Sequence, residues 1–282
     1  MNNSKYESVN VTWIEKPISD VWWYFSTAEG WKAYLSDITS LNSKKESIEL
    51  GDTLEIIIGE LTNKTTCIEY IQNECISFKD DYSAVLPNGD VWEYSLITSF
   101  LLEEIEPMTK ITVKVEGYTD DEMMQWVREC GEMGWQQSLF NLKSIIELGI
   151  DVRNDIFNYP RLGVLNFTAS SDILLKAGLD PKEIEGNYIR TVYPNGPAAE
   201  AGIQEGDIIT EIGRTKVRNY KEFVKALGKL HNKESSTTVK LFRNQVQHHL
   251  NLELTYNDQF TGMIDPDKQT VEELIRDRKG KV

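Results

Sequence analysis

Few residues in this chain can do chemistry, and their spacing withholds most reactions. Histidine occurs at His231, His248 and His249 only, so the whole first half lacks the commonest general base at neutral pH. His248 and His249 are adjacent in a run that reads as a strand. They therefore point to opposite faces and cannot share a metal ion. Cys67, Cys75 and Cys130 form no C-x-x-C pair. The first two fall in expected strands, where a buried, inert thiol is the ordinary state. Carboxylates are abundant, but no pair is marked out by spacing. There is no G-x-S-x-G elbow, P-loop, H-E-x-x-H, serine triad or cysteine dyad. The sequence nominates no catalytic residue, no metal site and no cofactor, and it reads as a binding protein.

Any binding surface must be held by packed elements, and composition allows them. The 282 residues suffice for two domains, with 40% hydrophobic and 27% charged residues. No apolar run approaches the ~20 residues that span a bilayer, and the polar beginning, MNNSKYESVN, offers no export signal. With an odd cysteine count, these features predict a cytoplasmic protein with reduced thiols. The net charge of −15 is uneven. Residues 1–157 hold 12 Lys and Arg against 28 Asp and Glu, and the remainder holds 18 against 17. The acidic half repels nucleic acid and anionic lipid, so neither is expected as a partner. All seven tryptophans also lie in that half. Two unrelated modules joined together would give this asymmetry. The expected divisions are residues 1–152, a short polar connector at 153–158, a second module at 159–256 and a tail at 257–282.

In the first module, Val9, Val11 and Trp13 alternate as a strand with one buried face. Ser19 or Asp20 can cap a short helix carrying Val21, Trp22 and Phe25, and Thr27 can cap another through Leu35. Strands follow over Ser47–Leu50, Thr53–Ile58, Thr65–Ile71, Ile76–Tyr82, Val91–Leu102 and Thr109–Gly117, with an Asn88-Gly89 hairpin turn. A long helix runs from Asp120 to Leu148, with acidic residues in its first turn. Two stretches carry a family resemblance. One is Trp13-Ile14-Glu15-Lys16-Pro17-Ile18-Ser19-Asp20-Val21-Trp22 with Phe25 and Gly30-Trp31. The other is Gly134-Trp135-Gln136-Gln137-Ser138-Leu139 with Leu142-Lys143 and Leu148-Gly149. In this order they resemble the START-like (SRPBCC, helix-grip) superfamily, nearest the branch named for the activator of the ninety-kilodalton heat-shock chaperone's ATPase. The resemblance implies an α+β domain: a curved antiparallel sheet around a long C-terminal helix, with a hydrophobic pocket between them. The candidate lining is Phe25, Trp31, Trp92, Met123, Trp126, Trp135 and Leu139, or else these residues form a solid core. Gly131 and Gly134 either permit close approach to the sheet or loosen a lid.

The second module is organised around Ile189–Ile212. Pro194-Asn195-Gly196-Pro197 ends a strand, Ala198, Ala199 and Ala201 form a short helix, and Gly202 stops it. Glu205-Gly206-Asp207 then turns the chain into a strand at Ile208. The run Pro-Ala-x-x-Ala-Gly-Ile-x-x-Gly-Asp-Ile-Ile resembles the bacterial type of PDZ domain, a small, mainly β fold. Tyr159-Pro160-Arg161-Leu162-Gly163-Val164 resembles its carboxylate-binding loop. What this implies is a nest of backbone N–H groups around Gly163 for a terminal carboxylate, with charge from Arg161 and a strand edge at Val164–Thr168. Asn219 caps a helix through Leu230 that forms the other wall. Leu162, Val164, Phe223 and Leu227 then make the pocket for an apolar terminal side chain, or belong in part to the core. The same resemblance implies that Tyr220, near the helix start, contacts the residue two before the peptide's end. A helix around Ile173–Leu175 is an insertion relative to that pattern. In the tail, Thr270-x-x-Glu273 is a capping box, and Val282 offers an apolar free end that the groove could capture, in cis or between chains.

The expectation is therefore a non-enzymatic two-module adaptor. Its first module takes a small hydrophobic ligand or a client, and its second takes a peptide or protein C-terminus. The resemblance also leaves open a chaperone-ATPase regulator and a START-like cyclase or hydrolase.

Overall fold

The structure is a computed structural model that describes residues 4–43, 45–231, 235–257 and 268–280. Val282, and with it the self-capture expectation, lies outside the described residues. The chain divides into two compact units, Met1–Val85 with Val91–Phe157, and Asn158–Val282 with Leu86–Asp90.

The first unit runs β1 (Glu7–Ile14), α1 (Ile18–Ser26), α2 (Ala28–Tyr34), β2 (Ile38–Leu41), β3 (Thr53–Ile58), β4 (Leu61–Ile71), β5 (Cys75–Val85), β6 (Val91–Ile105), β7 (Met108–Glu116), α3 (Glu122–Leu148) and α4 (Arg153–Phe157). Its strands form one antiparallel seven-stranded sheet in the order β1-β7-β6-β5-β4-β3-β2. The long helix α3 starts at Asp121, whose carboxylate accepts from the Met124 N–H, and ends at Gly149 in the left-handed conformation. Met124, Val127, Leu139 and Leu142 of α3 are buried in the same cluster as Ile76, Phe78, Phe100, Ile111 and Val113 of the sheet. This is the expected helix-grip arrangement.

Local details differ from expectation where side-chain chemistry was overridden. Pro17, with no side-chain hydrogen bond, is the N-cap of α1, so neither Ser19 nor Asp20 caps it. Thr27 does cap α2, its hydroxyl accepting from the Gly30 N–H. Ser47–Leu50 makes no strand beyond a bridge from Ser47 to Thr27. The Ile48 N–H is taken by the Ser26 carbonyl, and Glu49 and Asp52 close a turn that diverts the chain. The expected connector is helical as α4. Arg153 ties it to the first unit, donating to the Lys32 and Ala33 carbonyls and to Asp37.

The second unit is smaller and mainly β. It contains β8 (Val164–Thr168), α5 (Ser171–Lys176), β9 (Asn187–Val192), α6 (Pro197–Glu200), β10 (Ile208–Ile212), β11 (Thr215–Lys216), α7 (Tyr220–Gly228), β12 (Ser236–Arg243), β13 (Val246–Glu253) and α8 (Val271–Lys279). The sheet order is β13-β12-β10-β9-β8, with β11 paired to β10. The inserted helix is α5, capped by Ser170, and the capping box at Thr270 and Glu273 is formed. The turn before β10 is locked by a contact that sequence reasoning missed. Asp207 is buried and accepts two hydrogen bonds from the Arg243 guanidinium, at 2.7 and 2.6 Å.

Candidate functional sites

In the second unit, the loop before β8 is fixed at its start and through its carbonyls. The Arg161 N–H donates to the Thr255 carbonyl at 2.8 Å. The Leu162 carbonyl accepts from Ala198, and the Gly163 carbonyl accepts from Tyr193, each at 2.9 Å. The N–H groups of Leu162 and Gly163 have no acceptor among the described residues. Gly163 sits at φ +74°, where a side chain is strained. A loop whose carbonyls turn into the fold and whose amides do not is the geometry of an anion nest.

Among the described residues the next element, β8, is the edge of its sheet and pairs only with β9. Beside it α7 begins at Asn219, whose side chain accepts from the Glu222 N–H. The Tyr220 N–H donates to the Thr168 hydroxyl at 3.0 Å, which holds the helix start against the end of β8. Leu162, Phe223 and Leu227 are buried, whereas Val164 and Tyr220 are partly exposed. The Tyr220 ring stacks on Phe223. Arg161 holds its guanidinium 3.6 Å from the Tyr159 ring centre, so its charge stays at the loop. A hollow of about 600 Å³ in this unit, lined by Gly213, Arg214, Thr215, Leu230 and Thr237 among others, involves other strands and none of these residues. His248 and His249 lie opposite Leu241 and Lys240 in the β12–β13 pair, on alternate faces. Among the described residues, no group of three His, Cys, Asp or Glu side chains could hold a metal ion, and no helix is long and apolar enough to cross a membrane.

In the first unit, the inward face of the sheet has two chemical ends. At one end, Phe100 touches the rings of Phe25, Trp31, Phe78 and Trp135 with centroids 4.9 to 6.1 Å apart. Phe25, Trp31 and Leu139 are fully packed here. Of the seven residues expected to line a pocket, these three sit in solid core. Trp92, Met123, Trp126 and Trp135 are half-buried. A side chain at Gly134 would meet nothing within 4 Å, and one at Gly131 would meet only the Tyr118 hydroxyl, at 3.4 Å. Close approach to the sheet is therefore not what Gly134 provides.

At the other end the face turns polar. Strand register places Thr65 opposite Asp80, Asn63 opposite Tyr82, and Tyr82 opposite Tyr94. Asp80 is only 2% exposed. It accepts from the Thr98 hydroxyl at 2.5 Å and the Asn63 amide at 2.9 Å. Burial pushes its carboxyl above the usual carboxylate range, and the Thr98, Asn63 and Thr65 side chains pull it partly back. Burial also raises the phenols of Tyr82 and Tyr94, and pushes that of Tyr118 up to about 12. Burial takes the Cys67 thiol up to about 11, consistent with an unreactive sulfur. Sequence reasoning missed Asp80, Asn63 and Thr98. The available signal was Asp80 standing in phase with Ile76 and Phe78, on the buried side of its strand.

Comparison with known proteins matches the second unit to a family. A PDZ domain family model covers residues 188–239. A curated relative, "Probable protease eep" of Enterococcus faecalis, is 32% identical over 111 residues, which is 39% of this chain and 22% of the relative. The chain thus spans about a fifth of that relative's length. Among solved structures, protein MLL2253 from Mesorhizobium loti is 14% identical, with TM-score 0.42, over 50% of this chain and 96% of its own. The Aha1 dimer from Colwellia psychrerythraea is 16% identical, with TM-score 0.40, over 51% and 97%. Protein BH1534 of Bacillus halodurans is 19% identical, with TM-score 0.39, over 50% and 96%. Residues 188–239 of the small, mainly β second unit thus match the PDZ domain family, and the first unit is an α+β fold in which a seven-stranded antiparallel sheet packs against the long helix α3.

Proposed function

We propose that this chain is a non-enzymatic adaptor whose PDZ domain captures a peptide or protein C-terminus in the groove between β8 and α7. One observation carries this reading: the Leu162 and Gly163 amides are left without acceptors at the mouth of an edge strand flanked by a helix. A terminal carboxylate would satisfy those amides, and an extended peptide would add a strand to β8. Leu162, Val164, Phe223 and Leu227 are assigned to the apolar terminal side chain. Tyr220 is assigned to the residue two before the peptide's end, and Arg161 to charge attraction. The same reading gives the first domain a small ligand or client, admitted past Trp92, Met123, Trp126 and Trp135. Phe25, Trp31 and Leu139 form the wall behind. The boundaries of the reading are residues 1–152 and 159–256, with α4 as an ordered junction. Cys67, Cys75 and Cys130, outside any disulfide, suit a reducing, cytoplasmic compartment.

The test is an NMR titration of the full chain with a pool of peptides ending in free apolar residues. Shifts concentrated at Leu162–Thr168 and Tyr220–Gly228 are expected. A response confined to other segments, or none at millimolar peptide, would overturn the assignment.

A further inference from the structure

Asp80 presents a problem of charge. It is a buried carboxylate, and no Lys, Arg or His forms an ion pair with it among the described residues. Its two donors, Thr98 and Asn63, are neutral, and the neighbouring charge that acts on it, Asp81, has the same sign. Arg128, which influences Tyr118, is paired with Glu129 and Glu132. Buried carboxylates are rare without a cationic partner, because loss of hydration is costly.

A second unmet need lies beside it. Asn63 spends its NH2 group on Asp80, and its carbonyl oxygen is buried with no donor. Turning the amide round would relieve its oxygen only against a protonated Asp80, since an ionised carboxylate would then face that oxygen. Two adjacent acceptors thus lie together without a cationic donor, with the Thr65 hydroxyl the one further neutral group opposite Asp80. On the same inward face Tyr82 and Tyr94 stack with centroids 5.0 Å apart, and Trp92 lies 4.6 Å from Tyr94. All three rings are half-buried, so this end of the interior is less fully closed than the Phe100 end.

We propose that the polar end of the first domain's inward face binds a small organic cation with N–H donors, a primary ammonium, anchored by Asp80 and the Asn63 carbonyl and flanked by Tyr82, Tyr94 and Trp92. The ammonium supplies both the missing charge and the missing hydrogens, and the rings present π faces to it. A carboxylate-bearing ligand meets repulsion here, and a purely apolar one leaves Asp80 uncompensated. Burial, which favours the neutral acid in the empty site, is opposed once the cation is bound. This proposal rests on the reading of the first domain as a ligand-binding module and names the ligand's chemistry.

The experiment titrates the full chain with 2-phenylethylammonium, 2-phenylethanol and 3-phenylpropanoate, followed by tryptophan fluorescence and calorimetry. The ammonium should bind at least about tenfold more tightly than the alcohol. Asp80→Asn, with an unchanged far-UV spectrum, should erase that preference. If Asp80→Asn does not fold, Tyr94→Leu replaces it and should weaken the ammonium several-fold more than it weakens the alcohol. Tighter alcohol or acid binding, or a preference untouched by the substitutions, overturns the cation site but leaves the ligand-binding reading standing. No binding by any of the three overturns both.

Discussion

The two proposed sites differ in kind. In the second unit the proposed recognising atoms are main-chain: the amides around Gly163 and the edge of β8. In the first unit they are side chains of three neighbouring strands, brought together by register: Asn63 and Thr65 on β4, Asp80 and Tyr82 on β5, and Tyr94 and Thr98 on β6. A backbone site is specified by a glycine and a turn, both local in sequence. A cross-strand site is specified by pairing between residues that are distant in sequence.

The strongest way to break this comparison is to damage one domain and watch the other. Phe100→Ala removes the ring at the centre of the aromatic cluster and should cost the first domain about 3–5 kcal/mol. Urea unfolding followed by tryptophan emission reads that loss, since every tryptophan lies in that domain. Peptide binding should survive it. Loss of peptide binding alongside would mean that the two recognition functions are not separable.

A smaller change sharpens the main-chain half. Gly163→Val forces a β-branched residue into the left-handed conformation, at a cost of roughly 1–2 kcal/mol. It should weaken a C-terminal peptide by about tenfold without altering tryptophan fluorescence. An unchanged affinity would remove Gly163 from the site.

The smallest effect tests the side-chain half through pH. Burial raises Asp80 in the folded state, so folding favours its protonated form. That contribution is complete below the unfolded carboxylate value of about 4 and is lost as pH rises through the folded value. The groups around Asp80 are Thr98 and Asn63 as donors, the Thr65 hydroxyl opposite it, the phenols of Tyr82, Tyr94 and Tyr118, and the like charge of Asp81 next to it in the strand. Asp80→Asn should therefore raise the melting temperature more at about pH 8 than at about pH 4.5. An equal change at both would show that the carboxyl is not perturbed by its burial.

The same contrast explains what could be read without coordinates. Strand alternation, the acidic start of the long helix, the Asn219 cap and the Gly-Asp turn before Ile208 are local signals, and they foretold both folds. The left-handed turn at Gly163 was legible for the same reason. The turn lock between Asp207 and Arg243 joins residues on separate elements, and nothing local announces it. Asp80 was legible only as one polar residue in an apolar phase. Its partners needed the β4–β5–β6 register. Aromatic content alone left core and pocket undivided: Phe25 and Trp31 each pack on Phe100 in the core, while half-buried Trp92 lies against Tyr94 at the polar end.

The most direct measurement is calorimetric titration of the intact chain with one apolar-ended peptide, prepared once as the free acid and once as the C-terminal amide. Recognition by the amides of Leu162 and Gly163 predicts that the free acid binds and that amidation weakens it by about tenfold or more. Equal affinity for the two forms would contradict carboxylate capture, and with it the adaptor reading of the PDZ domain.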